Sequence, residues 1–169
     1  MRDTKDWTWV LRRPCPECGL DTSSFERHEV PALLRDNAAS WQRVLKRADV
    51  RVRPDDETWS PLEYACHVRD ACRIFRDRLA LMLTAPAPEF PNWDQDKTAV
   101  EDRYSEQDPE RVAAALADAA AALADDFAAV SGPAWERTGS RSDGSHFTVE
   151  TFARYFIHDP VHHLHDVRG

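Results

Sequence analysis

Excess basic charge is missing from this sequence. Lys and Arg number 22 against 30 Asp and Glu, a formal charge of −8 with His neutral. Sequence-independent binding to nucleic acid needs a basic footprint, so that partner class is excluded. Long apolar runs are missing too: none approaches the roughly 20 residues that cross a bilayer, which excludes a membrane partner. The opening residues Met1 to Trp7 hold no apolar signal-peptide core. With only four cysteines in 169 residues the chain is no disulfide scaffold, and its expected setting is the cytoplasm, with reduced thiols. Only five glycines occur, three of them between positions 132 and 144, and no internal repeat is visible. What is present is ordinary for a globular protein: 42% hydrophobic and 31% charged residues, in a length suited to one core.

The eleven prolines fall in clusters that separate segments of helical period. From about Pro31 to Ala48, Leu33, Leu34, Ala38, Trp41, Val44 and Leu45 recur at spacings of three and four. A second helix is expected from Ser60 to about Thr84. Ser60 caps, Pro61 suits the first turn, Glu63 completes a capping box, and Trp59 packs on Tyr64 as a staple. Asp108 and Pro109 open an Ala-rich third helix that runs to about Val130 and stops at Gly132-Pro133. A fourth is expected from about Thr148 to Val167. The loop from about Ala85 to Gln107 exceeds the length of a simple connector and carries Phe90, Trp93, Val100 and Tyr104, so it is expected to pack on the helices and cover something. Residues 134–147 read as a Gly/Ser-rich turn region. The expected fold is all-α: a four-helix bundle with long crossover loops, spanning 30–169, preceded by an extension over 1–29 that lies extended across it.

The chemistry concentrates in the last helix, His158-Asp159-Pro160-Val161-His162-His163-Leu164-His165-Asp166. His158 and His162 are four apart and share a helical face, a spacing that lets two imidazoles reach one ion. His67, on the second helix, is the candidate third ligand. Three protein ligands leave a position for water or substrate, as in catalytic zinc sites. The plainer readings are a hydrogen-bonded core His67 and surface histidines at 158 and 162. His163 and His165 project at other helical angles and are expected outside the ligand set, and His28 and His146 are expected in solvent. Asp159 or Asp166 can hold a ligand histidine by its second nitrogen, or serve as a surface acid. Pro160 is expected to kink the helix between the two candidate ligands.

Cys15-Pro16-Glu17-Cys18-Gly19 has the form of a zinc-ribbon knuckle. A structural zinc takes four ligands, and no second Cys-x-x-Cys exists; Cys66 and Cys72 read as core residues. An inert turn, a disulfide or redox pair, and a second metal site at Cys15 and Cys18 all stay open.

With these residues in hand, a resemblance emerges. Trp59-Ser60-Pro61-Leu62-Glu63-Tyr64-Ala65-Cys66-His67, followed by His158-Asp159-Pro160-Val161-His162-His163, resembles the DinB/YfiT-like metalloenzyme superfamily over roughly positions 30 to 168. The Trp-rich start, Cys-Pro-x-Cys-Gly, Asn92 to Asp96 and Arg103-Tyr104-x-x-Gln107-Asp108-Pro109 resemble an actinobacterial branch. The resemblance implies a divalent metal on His67, His158 and His162. Relatives include thiol-dependent transferases and a mycothiol-dependent maleylpyruvate isomerase.

Three imidazoles leave the ion positively charged, able to lower the pKa of a bound thiol or water, and suit zinc, nickel or iron. The expected function is therefore a thiol-dependent S-transferase or isomerase acting on a small molecule, with a low-molecular-weight thiol as cosubstrate. A hydrolase on the same site and a non-catalytic metal- or ligand-binding stress protein are the alternatives, and a homodimer is left open. Trp93, Asp94 and Gln95 are candidates for closing the site over substrate, and Arg141 or Arg154 for holding a substrate carboxylate.

Overall fold

The structure, a computed structural model, describes residues 6–169; positions 1–5 of the expected extension lie outside the described residues. Four long helices carry the fold: α1 (Val30–Val44), α2 (Pro61–Thr84), α4 (Pro109–Ala128) and α5 (Val149–Asp166), with a short α3 (Gln95–Glu101) between α2 and α4. Helices α1 and α2 each pack against both α4 and α5, so consecutive α1 and α2 are not principal neighbours. The connection between them crosses the bundle.

The helix starts follow the local chemistry. Ser60 accepts from the Glu63 N–H while Glu63 accepts from the Ser60 N–H, a reciprocal box. Arg53 grips the same Glu63 carboxylate. Trp59 meets Tyr64 edge to face with centroids 5.5 Å apart, as a staple does. Asp108 caps α4 through the Glu110 and Arg111 N–H groups, and Thr148 caps α5. Trp41, Leu62, Leu79, Leu116, Leu123, Phe152 and Phe156, each almost fully buried, form the common core.

The structure departs from the sequence reading in three places. First, the 85–107 segment is ordered by a strand β1 (Glu89–Phe90), helix α3 and a 3₁₀ turn at Tyr104–Glu106. Second, residues 138–148 form a hairpin of β2 (Thr138–Arg141) and β3 (His146–Thr148). Strand β1 adds to β2 in parallel, giving a small three-stranded sheet. Period-two alternation has little room to show in strands this short. A Cβ at Gly139 in β2 would stand 2.8 Å from the buried Met82 Cγ, so the sheet lies directly on α2. Third, the N-terminal strip is not extended: Trp7–Leu11 is a 3₁₀ turn packed on α5, capped by the Asp6 carboxylate accepting from the Thr8 N–H, with Val10 inserted into the core. Helix α5 continues through Pro160, whose carbonyl accepts from Asn37 Nδ2 on α1.

A buried polar network fastens the long loop to α2. Asp70 accepts two hydrogen bonds from Arg69 and one of 2.6 Å from the Tyr104 hydroxyl, while Arg69 also donates to Gln107 Oε1. Burial alone would raise the Asp70 carboxyl, but Arg69 and Tyr104 hold it below the ordinary aspartate range. Its ionised form therefore stabilises the fold above pH about 3.9, and that contribution is lost as pH falls through the depressed folded value. Asp70→Asn is expected to cost about 3 kcal/mol at neutral pH, because Arg69 is left without its counter-charge. Urea titrations at pH 7 and pH 3 check this: the wild-type advantage shrinks at the lower pH.

Candidate metal centre

The carboxyl half of α5 presents two side-chain pairs of the same spacing, His158/His162 and Asp159/His163. Each pair is four apart and so shares a face, and the two faces differ by one residue, about 100° of helical rotation. That offset sends the pairs to different neighbours.

Asp159 and His163 face α2. Asp159 Oδ2 lies 3.1 Å from His67 Nε2 and 3.7 Å from His163 Nε2, and one ligand atom from each of the three comes within 4.8 Å of the others. His67 is buried, flanked by Trp59 and covered by Trp93, whose ring stacks on it at 5.1 Å with an interplanar angle of 2°. Tyr64 stacks on His163 at 4.9 Å. Burial would raise the Asp159 carboxyl, but facing His67 and His163 hold it far below the usual carboxylate range. Asp159 is thus an anion set between imidazoles.

His158 and His162 face the N-terminal extension, where their ligand atoms cluster with those of Cys15 and Cys18. Burial, then the neighbouring His162, pushes His158 down to about 4, and burial also lowers His162. Both are neutral at pH 7. All four cysteines are free thiols, with Cys66 and Cys72 buried in α2; burial and the adjacent Cys15 raise Cys18 to about 11.

The expected trio is therefore divided: His67 meets Asp159 and His163, while His158 and His162 meet the cysteine knuckle. His163, expected outside the ligand set, stands beside His67 because 163, not 162, shares a helical face with 159. His28, His146 and His165 are exposed.

A cavity of about 660 Å³ opens over the metal-competent groups, with His158, Asp159, His162 and His163 in its wall. Trp93, Gln95 and Arg141 also line it. Asp94 stands back from it and caps α3 through the Lys97 N–H. Arg154, a candidate for holding substrate, has another task. It donates to the carbonyls of Thr22 and Phe25 and to Glu150, tying the extension to α5 outside the cavity wall. Sequence reading passed over Arg78. This buried cavity-lining guanidinium donates to the Pro91 carbonyl and lies over Phe75 and Phe90, with no carboxylate in salt-bridge range among the described residues. Burial, then repulsion by Arg141, pushes it down to about 10, so it stays a cation at pH 7. Its sequence signal was faint: an Arg on the otherwise apolar face of α2.

The family model of the DinB superfamily matches residues 32–167. The chain belongs to the DinB superfamily. Among solved structures it is similar to YfiT from Bacillus subtilis, described as a probable metal-dependent hydrolase with an unusual four-helix bundle topology. The TM-score is 0.65 and the identity 18%, over 98% of this chain and 87% of that one. At that identity the likeness shows the fold. No curated protein sequence matches.

The divalent metal implied by the resemblance fits this DinB-superfamily chain on its donor chemistry. His67 Nδ1 and Asp159 Oδ1 are buried polar atoms without a hydrogen-bond partner, an arrangement that is costly unless something binds nearby. Two imidazoles and a carboxylate would supply three ligands, the number that leaves a position for water or substrate in catalytic zinc sites. No helix among the described residues is long and apolar enough to cross a membrane.

Arg154 gives a direct test of these placements. Arg154→Ala is expected to destabilise the protein by about 2 kcal/mol, through loss of charge-assisted bonds to Thr22, Phe25 and Glu150. Metal content should be unchanged. Thermal unfolding beside elemental analysis checks both.

Proposed function

We propose that this protein is a metal-dependent enzyme that transfers a low-molecular-weight thiol to a small anionic substrate, at a centre formed by His67, Asp159 and His163. One observation carries the reading: a single cavity lined by Asp159 and His163, the two residues that meet the buried His67, also holds two guanidinium side chains, Arg78 and Arg141. A divalent metal bound by the three would act as a Lewis acid that lowers the pKa of a bound thiol or water.

The chain's own residues supply the rest. Asp159 brings one negative charge to the ligand set, and its contact with His67 fixes the orientation of both side chains across the bundle. Trp93 and Tyr64, stacked on His67 and His163, keep bulk water from those rings. Arg78, with no carboxylate in salt-bridge range among the described residues, offers its positive charge to a carboxylate or phosphate. Arg141 is held in place by Asp143, Ser145 and Tyr155. In the transfer, a sulfur–carbon bond forms as the substrate's bond to its leaving group breaks, and the thiol proton departs with that group. The cavity volume is that of a site for a drug-sized molecule, more than attack by water alone requires. Hydrolysis at the same centre is the second reading, favoured by the likeness to YfiT.

Metal-loaded protein assayed against activated esters and electrophilic acids, with and without a low-molecular-weight thiol, separates the two. Thiol-dependent turnover is expected; equal turnover without thiol selects the hydrolase. His67→Ala and Asp159→Asn should each abolish turnover and remove the metal of this centre. Arg78→Gln should raise KM about tenfold or more with kcat little changed, as loss of a charge-assisted contact to bound substrate does. An unchanged KM would remove Arg78 from the substrate site.

A further inference from the structure

The Cys-Pro-Glu-Cys-Gly knuckle lies far from α5 in sequence and against it in space. Cys15 Sγ is 3.6 Å from His162 Nδ1, across 147 positions of chain. One ligand atom from each of Cys15, Cys18, His158 and His162 lies within 4.8 Å of the other three. In a tetrahedral site with zinc–sulfur and zinc–nitrogen bonds of about 2.3 and 2.05 Å, neighbouring sulfur and nitrogen ligands stand about 3.5 Å apart. The observed contact matches that separation.

The surroundings have the character of a built site. The knuckle is closed by the Cys15 N–H donating to the Leu20 carbonyl and the Gly19 N–H donating to the Cys15 carbonyl. Gly19, at φ +76°, takes the left-handed conformation that residues with a Cβ rarely adopt. On the far side of the His162 ring, Nε2 lies 3.3 Å from Glu17 Oε2 and 3.6 Å from Asp166 Oδ1. Carboxylates on the second nitrogen are how metal-bound histidines are oriented. His158 Nε2 is buried with no hydrogen-bond partner. Trp7 covers both imidazoles, with ring centroids 5.3 and 5.1 Å away.

We propose that Cys15, Cys18, His158 and His162 form a second, closed Cys2His2 site for a structural divalent metal of the zinc class, stapling the N-terminal extension to α5. Four protein ligands leave no position for water or substrate, which makes this centre structural and not catalytic. Binding releases two thiol protons, and two thiolates with one divalent cation make a neutral unit suited to burial. The staple also places Trp7 and Glu17 in the cavity wall. The inference does not depend on the catalytic reading, since the two ligand sets share no residue.

The test is cobalt(II) substitution of the full chain, purified without a histidine tag, with metal counted by elemental analysis. Two metal ions per chain are expected, together with sulfur-to-cobalt charge-transfer absorption in the near ultraviolet and strong tetrahedral d–d bands. Cys18→Ser should lose one ion and most of the charge-transfer intensity. His67→Ala should lose the other ion and leave that absorption intact. If the wild-type cobalt protein shows no charge-transfer band, or if anaerobically isolated protein carries a Cys15–Cys18 disulfide, the proposal is overturned. The wild-type spectrum decides even where Cys18→Ser fails to fold. A His67→Ala protein that keeps its full metal count defeats the catalytic assignment alone, whatever the thiolate bands show.

Discussion

The contact between His67 on α2 and Asp159 on α5 constrains the centre of this molecule. Two polar side chains meet at 3.1 Å where apolar packing would be the default. Neither is tolerable there alone: an isolated buried carboxylate is strongly disfavoured, and a buried imidazole needs a partner for each nitrogen. The pair fixes the rotation of α5 about its own axis. Once Asp159 faces α2, helical geometry leaves no freedom for its neighbours. His163 follows it one turn on, and His158 and His162 are carried about 100° away toward the N-terminal extension.

The remaining architecture serves that alignment. The bundle crossing between α1 and α2 lets both helices border α5, and Asn37 on α1 reaches the Pro160 carbonyl in the middle of the site-bearing turns. The long segment after α2 is fastened at its far end by Tyr104 and Gln107 to Asp70 and Arg69. Nearer its start, Arg78 holds the Pro91 carbonyl and β1 pairs with β2. Between these anchors Trp93 is laid flat on His67. Trp93 and the guanidinium groups of Arg78 and Arg141 line the same cavity, giving the site an aromatic wall and a charged one.

The helices were legible in the sequence because their signals are local. The Ser60–Glu63 box, Asp108-Pro109 and the three-and-four apolar spacing each act within a few residues, and each is found in place. The small sheet was not, since strands of two to four residues leave almost no periodicity to read. For the candidate site, spacing specified that histidines of α5 gather with His67 but not which ones. His158/His162 and Asp159/His163 have identical separations, and only the packing of α5 on α2 chooses between them. A carboxylate in the pair that faces His67 hid the second option, because a search for histidines passes over an aspartate. The fourfold grouping at the knuckle was out of reach for another reason: Cys15 and His162 meet through a tertiary contact spanning most of the chain.

One helix carrying two interleaved ligand pairs has a mechanical consequence. A shift of α5 that served one group would displace the other, because both ride on the same two turns. The N-terminal extension adds its own ties: Arg154 to the carbonyls of Thr22 and Phe25, the Thr22 hydroxyl to the Val10 carbonyl, and Val10 in the core. These contacts hold α5 on a face other than the one that meets α2. The extension is thus a brace on the helix that presents Asp159 and His163, and Cys15 meets that helix at His162. Rigid support for the groups around an open ligand set is what a reactive centre requires, since small displacements of reacting groups are costly in rate. The knuckle and the cavity are best understood together, because His158 and His162 meet the one and line the other.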